Sequence, residues 1–427
     1  MRAVFKEIYG EDFLKACPVE REVYDSFPFQ TGDEPGVEYV EALRMTEEQG
    51  FSFRKANTSN VTMQQSIALK TENTRYLPNI LEFRSTVDME SVYRAMAGGR
   101  QAFRDTVGVR QEAQRDSMVK HTEWTLLNGN RPCGVIDSIA ASTVAARRLV
   151  TMTAASYADA FWACSENMPL DIYDSTSATL SPTAVSRGTT AGGVTSRFRV
   201  ISWDPDSLTL DLEADTAGDW ANVVAGDCLW RATSYLNEDF GMVGVAASNN
   251  NPSLFGIDQR VYGIWRPVRD LSGGPLTMQR ILRAVALIHS RSPTKARYVC
   301  RLHPLQWNAV NNDLSAIRRY DGSYKTAKAE NGVSEIEFYS AHGSVILRGN
   351  SFMKRGEVII SDDTKWTRRG VRDIDFAIPG TVGANGEPEY YVVKQDVNAI
   401  EFRAYAQQGM HCQMIARNAF LGNLDVP

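Results

Sequence analysis

From about Asp88 to Leu127 the chain contains no proline, and the apolar residues Val92, Met96, Phe103, Val107 and Met118 follow one another in steps of four, seven, four and eleven. Steps of that kind draw one narrow stripe along a helix. The other faces carry Arg94, Arg100, Arg104, Asp105, Arg110, Glu112, Arg115, Asp116 and Lys120, with Glu112/Arg115 and Asp116/Lys120 at the spacing of helical ion pairs. Most of the circumference is therefore expected to face water or polar partners. Such a helix would extend about 60 Å at 1.5 Å per residue, well past the usual three or four turns. Gly98 and Gly99 weaken it and mark a possible bend, and Leu126-Leu127-Asn128-Gly129 ends it, with Gly129 suited to a left-handed cap.

The segments around this helix differ in character. Residues 1–45 mix charge with Pro18, Pro28 and Pro35 and lack sustained periodicity, as an extended arm that gains order from neighbours would. Residues 51–78 place short strand-like stretches on either side of the polar cluster Asn57–Asn60 and read as a long two-stranded excursion. After the helix the chain turns rich in Ser, Thr, Ala and Gly, with strand signals at Leu149–Ala154, Phe198–Trp203 and Leu208–Leu212, the last alternating with period two. The stretch from Val150 to Ser175 loosely echoes that from Leu208 to Ser234, each a strand, a turn and a second strand, which fits a small antiparallel barrel or sandwich with 175–197 as its exposed loop. Pro275 opens an expected helix through Met278, Ile281, Leu282, Val285 and Ile288. A strand at 297–302 then leads to Pro304 and a second helix through Trp307, Val310, Leu314 and Ile317, and β signals follow at 335–339, 344–347, 357–360, 390–393 and 400–404. Strand-then-helix order followed by strands indicates an α+β core.

Length and composition narrow the function. The 427 residues allow roughly two or three packed units. Lys and Arg number 46 against 51 Asp and Glu, a net charge of −5, so any contact with nucleic acid is expected to be local and non-specific. The first residues have no apolar run of the signal-peptide kind, and no segment approaches a membrane span, which points to an intracellular, soluble chain. The six cysteines stand far apart without a CxxC pair, so buried free thiols are expected, with Cys164 and Cys228 the one pair whose segments could meet.

Signs of catalysis are sparse. There is no GxSxG elbow and no phosphate loop of the GxxxxGK type, and Gly380–Gly386 reads as a turn. The five histidines, His121, His289, His303, His342 and His411, offer no metal-ligand spacing. His303 before Pro304 reads as structural, and Asp362-Asp363 as a turn. Arg368, Arg369 and Arg372 near Trp366 could stack on nucleic acid, but a solvated or intersubunit salt-bridging strand end is the plainer reading. Arg54, Lys55, Lys70 and Arg75 on the excursion are candidates for pairing with acids on a neighbouring subunit. Neither enzyme activity nor a cofactor or metal is expected.

The order of parts resembles the major capsid proteins of tailed bacteriophages, which have the Hong-Kong-97-type fold. The features that carry the resemblance are Gly273-Gly274-Pro275-Leu276-Thr277 before a helix, His303-Pro304 before another, and the closing stretch from Gln395 to Phe420. It implies an N-terminal arm at 1–45, an extended loop at 46–80, and a peripheral domain with spine helix at 81–135. An inserted β-barrel-like domain at 136–235 departs from the minimal fold. The peripheral domain would return at 236–300, the axial domain would occupy 301–399, and a C-terminal strand 400–427. It further implies pentamers and hexamers closing into an icosahedral shell around dsDNA, assembled in the host cytoplasm and located in the virion. The partners would be a scaffolding protein, a portal and a decoration or cement protein, with no membrane. A crosslinking lysine, Lys55 or Lys70, has no motif to support it, and Gly98 with Gly99 would be a spine hinge. The competing readings are an encapsulin-like compartment shell and a carbohydrate-binding surface or tail adhesin, the latter suggested by Trp203, Trp220 and Trp230.

Overall fold

The computed structural model describes residues 20–31, 38–56, 62–90, 106–181, 184–187, 198–311, 336–376, 391–393 and 397–426. A five-stranded open sheet is organised by one long strand, Ala399–Cys412. This strand pairs antiparallel with Ile80–Asp88, from Ala399 opposite Asp88 to Gln407 opposite Ile80, and with Trp366–Asp375, from Trp366 opposite Cys412 to Asp375 opposite Tyr405. Tyr391–Val393 also pairs with it, and Phe29–Thr31 adds in parallel to Trp366–Asp375. Ala404 and Ala406 are small enough to let Met118 of the long helix pack directly on the sheet.

A second sheet runs in the order Val268–Asp270, Ala419–Leu421, Val358–Ser361, Ala296–Leu302, Gly343–Gly349 and Ile336–Ser340. Its middle strands are covered on both faces, and Val358–Ser361 is buried at every position, which is why it is apolar without alternation. The helix Met278–Arg291 lays Ile281, Val285 and Ile288 on Tyr298, Cys300 and Leu302. It begins at Met278 and not at Pro275. The hydroxyl of Thr277 accepts the Arg280 N–H and caps the helix, while Gly273 and Gly274, at φ +74° and +86°, turn the chain beforehand.

Six strands between Gly134 and Arg231 close into a barrel in the order Cys228–Arg231, Gly134–Ala141, Arg147–Met152, Thr209–Ala214, Phe198–Asp204, Pro169–Tyr173. The sequence echo acquires a geometric meaning here. Arg147–Met152, a short helix at Asp159–Trp162 and Pro169–Tyr173 match Thr209–Ala214, a 3₁₀ turn at Ala217–Trp220 and Cys228–Arg231. Arg147–Met152 pairs antiparallel with Thr209–Ala214, and Pro169–Tyr173 with Cys228–Arg231, so the ring has an approximate two-fold relation between its halves. Leu170, Ile172, Val200, Leu210, Leu212 and Leu229 fill it. Trp220 and Trp230 are buried, which leaves them unable to serve as an exposed sugar platform.

The described part of the long helix is Thr106–Leu127, and Asp88, an expected helix start, ends a strand instead. Contrary to the expected water-facing circumference, Thr122, Glu123, Trp124, Leu126 and Leu127 are all buried. Of the polar ones, Glu123 receives the arm. Gly129 (φ +58°) follows the helix, where a Cβ would lie 1.9 Å from the Gly241 nitrogen and 2.3 Å from the Asp239 carbonyl oxygen. Both the conformation and the close approach require glycine. Gly129→Ala should cost about 3 kcal/mol or more, read as a large drop in thermal unfolding midpoint or loss of soluble protein.

Candidate assembly surfaces

The arm segment Glu20–Thr31 is seated by charges drawn from three elements. Arg301, on the strand Ala296–Leu302, is fully buried. Its Nε donates to Glu22 Oε2 at 2.8 Å, its Nη1 and Nη2 donate to Asp363 at 2.9 and 2.7 Å, and its Nη1 also reaches Ser361 Oγ at 3.0 Å. Burial pulls the guanidinium pKa down, but Asp363 and Glu22 more than offset this and hold it above its ordinary value. Asn350 Nδ2 donates to the same Glu22 Oε2 at 3.2 Å. On the long helix, Glu123 accepts the Val23 and Tyr24 amides at 2.8 and 2.7 Å. Its burial pushes the carboxyl up to about 7 against the pull of those two amides. From the five-stranded sheet, Arg368 lies 3.8 Å over the Tyr24 ring and donates to the carbonyls of Tyr24 and Phe27.

The hairpin of Tyr39–Arg44 and Thr71–Tyr76 is rigid at its base and bare beyond it. Tyr39 OH donates to Gly370 O at 2.9 Å, Tyr262 OH to Glu72 at 2.7 Å, Tyr76 OH to Asp239 at 3.2 Å, and Arg75 N to Phe255 O at 2.9 Å. Arg369 pairs with Glu41. Asp239 also accepts the Asn79 amide, and burial raises its carboxyl to about 7. Past Met45 the two chains touch through the bridge between Gln49 and Ile67 and the Gln64 amide on Ser52 Oγ. All described residues of 50–56 and 62–70 are exposed. They include Phe51, Phe53 at 93%, Met63 at 84%, Ile67 and Leu69. Water-exposed apolar groups in such density mark a contact surface.

The barrel is joined to the rest by buried polar contacts. Asp159 accepts Arg355 Nε and Nη2 at 2.9 and 2.6 Å and lies 2.7 Å from His303 Nε2, while His303 Nδ1 accepts the Leu305 amide. Although burial alone would raise the Asp159 carboxyl, Arg355 and His303 hold it well below the usual carboxylate range. Arg231 donates to His121 O and Thr125 Oγ1 of the long helix and pairs with Glu238.

These contacts fix the positions of the residues singled out in the sequence. Arg54, Lys55 and Lys70 project from the exposed hairpin, and Arg75 stands at its base, 4.0 Å from Glu38. Arg368 is a correction. It is buried, and its donors go to its own chain's arm, Gln408 and Asp373, so it is not a strand-end residue open to another subunit. Arg369 is likewise engaged within the chain by Glu41. Trp366 is buried with its Nε1 on Asn418, which removes it as a stacking platform. Asp362 pairs with Arg417 and Asp363 with Arg301, both as structural joints. Gly98, Gly99 and Gly380–Gly386 lie outside the described residues. The sequence reading missed Glu22, Glu123 and Arg301. Glu22-Val23-Tyr24 stood in a stretch without periodicity, and a lone arginine in a strand gives no local sign of its partners. Among the described residues, no three of His, Cys, Asp and Glu are grouped to hold a metal ion.

Comparison with known proteins gives a structural likeness and no sequence relative. A chain of the cyanophage A-1(L) capsid asymmetric unit superposes with a TM-score of 0.55 at 10% identity, covering 99% of this chain and 98% of that one. The chain has the fold of a phage capsid subunit. The capsid of a native GTA particle matches at a TM-score of 0.49 and 7% identity, over 99% and 96% of the two chains. The holo-SrpI encapsulin complex of Synechococcus elongatus matches at 0.39 and 10%, over 97% and 93%. No family model matches the chain, and no curated protein does.

Arg301→Met should leave the Glu22 and Asp363 carboxylates without their buried cation and cost about 3–5 kcal/mol. Limited proteolysis should then cut the arm before Phe29 far faster than in the wild type. The pH dependence of the barrel joint follows from Asp159. Because its folded pKa is depressed, the stabilisation is present above the unfolded value of about 4 and is lost as pH falls through the folded one. Acid titration of Asp159→Asn should show a shallower loss of stability below about pH 4 than the wild type.

Proposed function

We propose that this chain is a major capsid protein of the Hong-Kong-97 type, assembling as pentamers and hexamers into an icosahedral head shell around dsDNA. The observation that carries the reading is the hairpin, rigidly based and apolar at its exposed end, on a chain whose fold matches a phage capsid subunit along nearly its whole length. An exposed apolar projection on a soluble chain is stabilised by burial against another copy, and repeated identical contacts close a shell. In this reading residues 1–45 are the arm, 46–80 the extended loop, and the helix ending at Leu127 the spine. The barrel at 136–235 is an insertion, 301–399 the axial domain, and the remaining segments peripheral.

The role is structural and not catalytic. Arg54, Lys55, Lys70 and Arg75 lie where a neighbouring subunit's acids would meet the loop, and Gly98 with Gly99 provide a hinge for a spine that bends on expansion. A scaffolding protein, a portal and a decoration protein complete the assembly in the host cytoplasm, and DNA contact is local, in keeping with the net charge of −5. Among the described residues no helix is long and apolar enough to cross a membrane.

Negative-stain electron microscopy of the chain expressed with its neighbouring genes tests the reading. Closed angular particles holding nuclease-resistant DNA support it. Particles with protein cargo and no DNA would make it a compartment shell, and persistent monomers would overturn both. Phe51→Asp with Phe53→Asp should abolish closed particles while the unfolding midpoint of the free subunit changes little, since both side chains are already in water.

A further inference from the structure

The basic cluster that stands out in the sequence, Arg368 with Arg369, is spent on acids and carbonyls of its own chain. The arginines of the loop 258–267 and of the last turn of the helix Met278–Arg291 are arranged differently. Arg266 donates from Nε to the Gln259 carbonyl and from Nη2 to the Arg260 carbonyl, the latter at 2.7 Å. Arg291 donates from Nη1 to the Arg266 and Pro267 carbonyls at 3.2 and 2.6 Å. Arg291 is thus laid on the backbone of Arg266, and Arg266 on that of Arg260.

A carbonyl orients a guanidinium but does not cancel its charge. The acids of this stretch are committed elsewhere: Asp258 grips Arg260 through both carboxylate oxygens, and Asp270 is paired with Arg280. Asp258 is held below its usual range by the hydrogen bonds from Arg260 first and by the charge of Arg266 last, so three positive charges on this face meet one negative charge. Burial, and after it the neighbouring Arg266 charge, pulls the Arg291 guanidinium below its ordinary value. Bracing the helix end against the loop takes only Nη1 of Arg291 and calls for no second cation beside it. Among the described residues Arg291 keeps Nε and Nη2 without a partner, two donors side by side on one edge, and Arg266 keeps Nη1. Such an edge fits phosphate oxygens.

The frame is also set in advance. Gln259 is fully buried, donates to Ser248 Oγ and the Trp265 carbonyl, and accepts the Asn251 amide, while Trp265 Nε1 donates to the Leu254 carbonyl. Little order remains to be imposed when a ligand arrives. We propose that Arg266 and Arg291, with Arg260 beside them, bind the phosphodiester backbone of DNA. The choice of DNA among polyanions rests on the reading of the chain as a shell subunit around dsDNA. A carboxylate from a second copy would fill one guanidinium edge and leave the others, whereas a polyanion offers a charge at each step. Contact of this kind positions the duplex and reads no sequence.

The test is titration of the full-length free subunit against a short fluorescein-labelled duplex at several salt concentrations, followed by anisotropy. Arg266→Gln with Arg291→Gln keeps donors for the backbone carbonyls, so the unfolding midpoint should change little. Duplex binding should weaken about ten-fold or more, and the log–log salt slope should become shallower by about 2, as for two lost phosphate contacts. Arg148→Gln removes a carbonyl-bound guanidinium on the barrel and should change neither. The proposal is overturned by a wild type that does not bind the duplex, or by a double variant that binds it no more weakly than Arg148→Gln. Loss of closed particles by the double variant with duplex binding unchanged would also overturn it, assigning the face to an acidic side chain of a second copy. Duplex binding lost with these arginines, in a wild type that never forms particles, would leave the site standing and remove the shell reading instead.

Discussion

A guanidinium with no access to water seats the segment that begins at Glu20. Taking Arg301 out of solvent is costly unless its charge is met in place, and here it is met from two directions, by Asp363 on the turn after a neighbouring strand and by Glu22 on the arm. The arm therefore completes the sheet electrostatically as well as covering it. The same dependence recurs at Glu123, whose carboxylate gains its partners only when Val23 and Tyr24 arrive, and at Arg368, which reaches arm carbonyls. Segments far apart in sequence are thus tied by groups that would be unsatisfied alone.

That dependence also explains what could be read from the amino acids and what could not. The helix at 278–291 and the strands at 296–302 and 358–361 stand out because burial on one face or two imposes a pattern on the sequence. Leu210 and Leu212 alternate for the same reason. Glu22 and Arg301 carry no such period, being defined by a contact across most of the chain. Trp366–Asp375 reads as a charged patch because Arg368 and Arg369 face partners from the arm and the hairpin, and inward-facing charge hides a strand. Glu123 is hidden in the same way, since a buried polar socket and a water-facing position look alike until the partner is known.

The barrel shows how little identity a shared architecture requires. Its two halves echo each other only loosely in sequence, yet strand, helical turn and strand recur and pair across an approximate two-fold axis. Interior positions need apolar volume more than particular residues, which lets sequence drift while pairing persists. A full-length likeness to a phage capsid chain at 10% identity is the same effect on a larger scale.

The base of the hairpin has a further consequence. Tyr76 lies so close over Gly409 that a Cβ there would come 1.8 Å from the tyrosine oxygen, and Tyr39 bonds to Gly370 on the adjoining strand. Gly409 lets the base of the hairpin sit flush on the sheet, so the hairpin's direction is tied to that of the strand beneath it. A larger residue at that one position would have to lift Tyr76 off the strand, so re-aiming the hairpin means disturbing the sheet it rests on rather than swinging a loop.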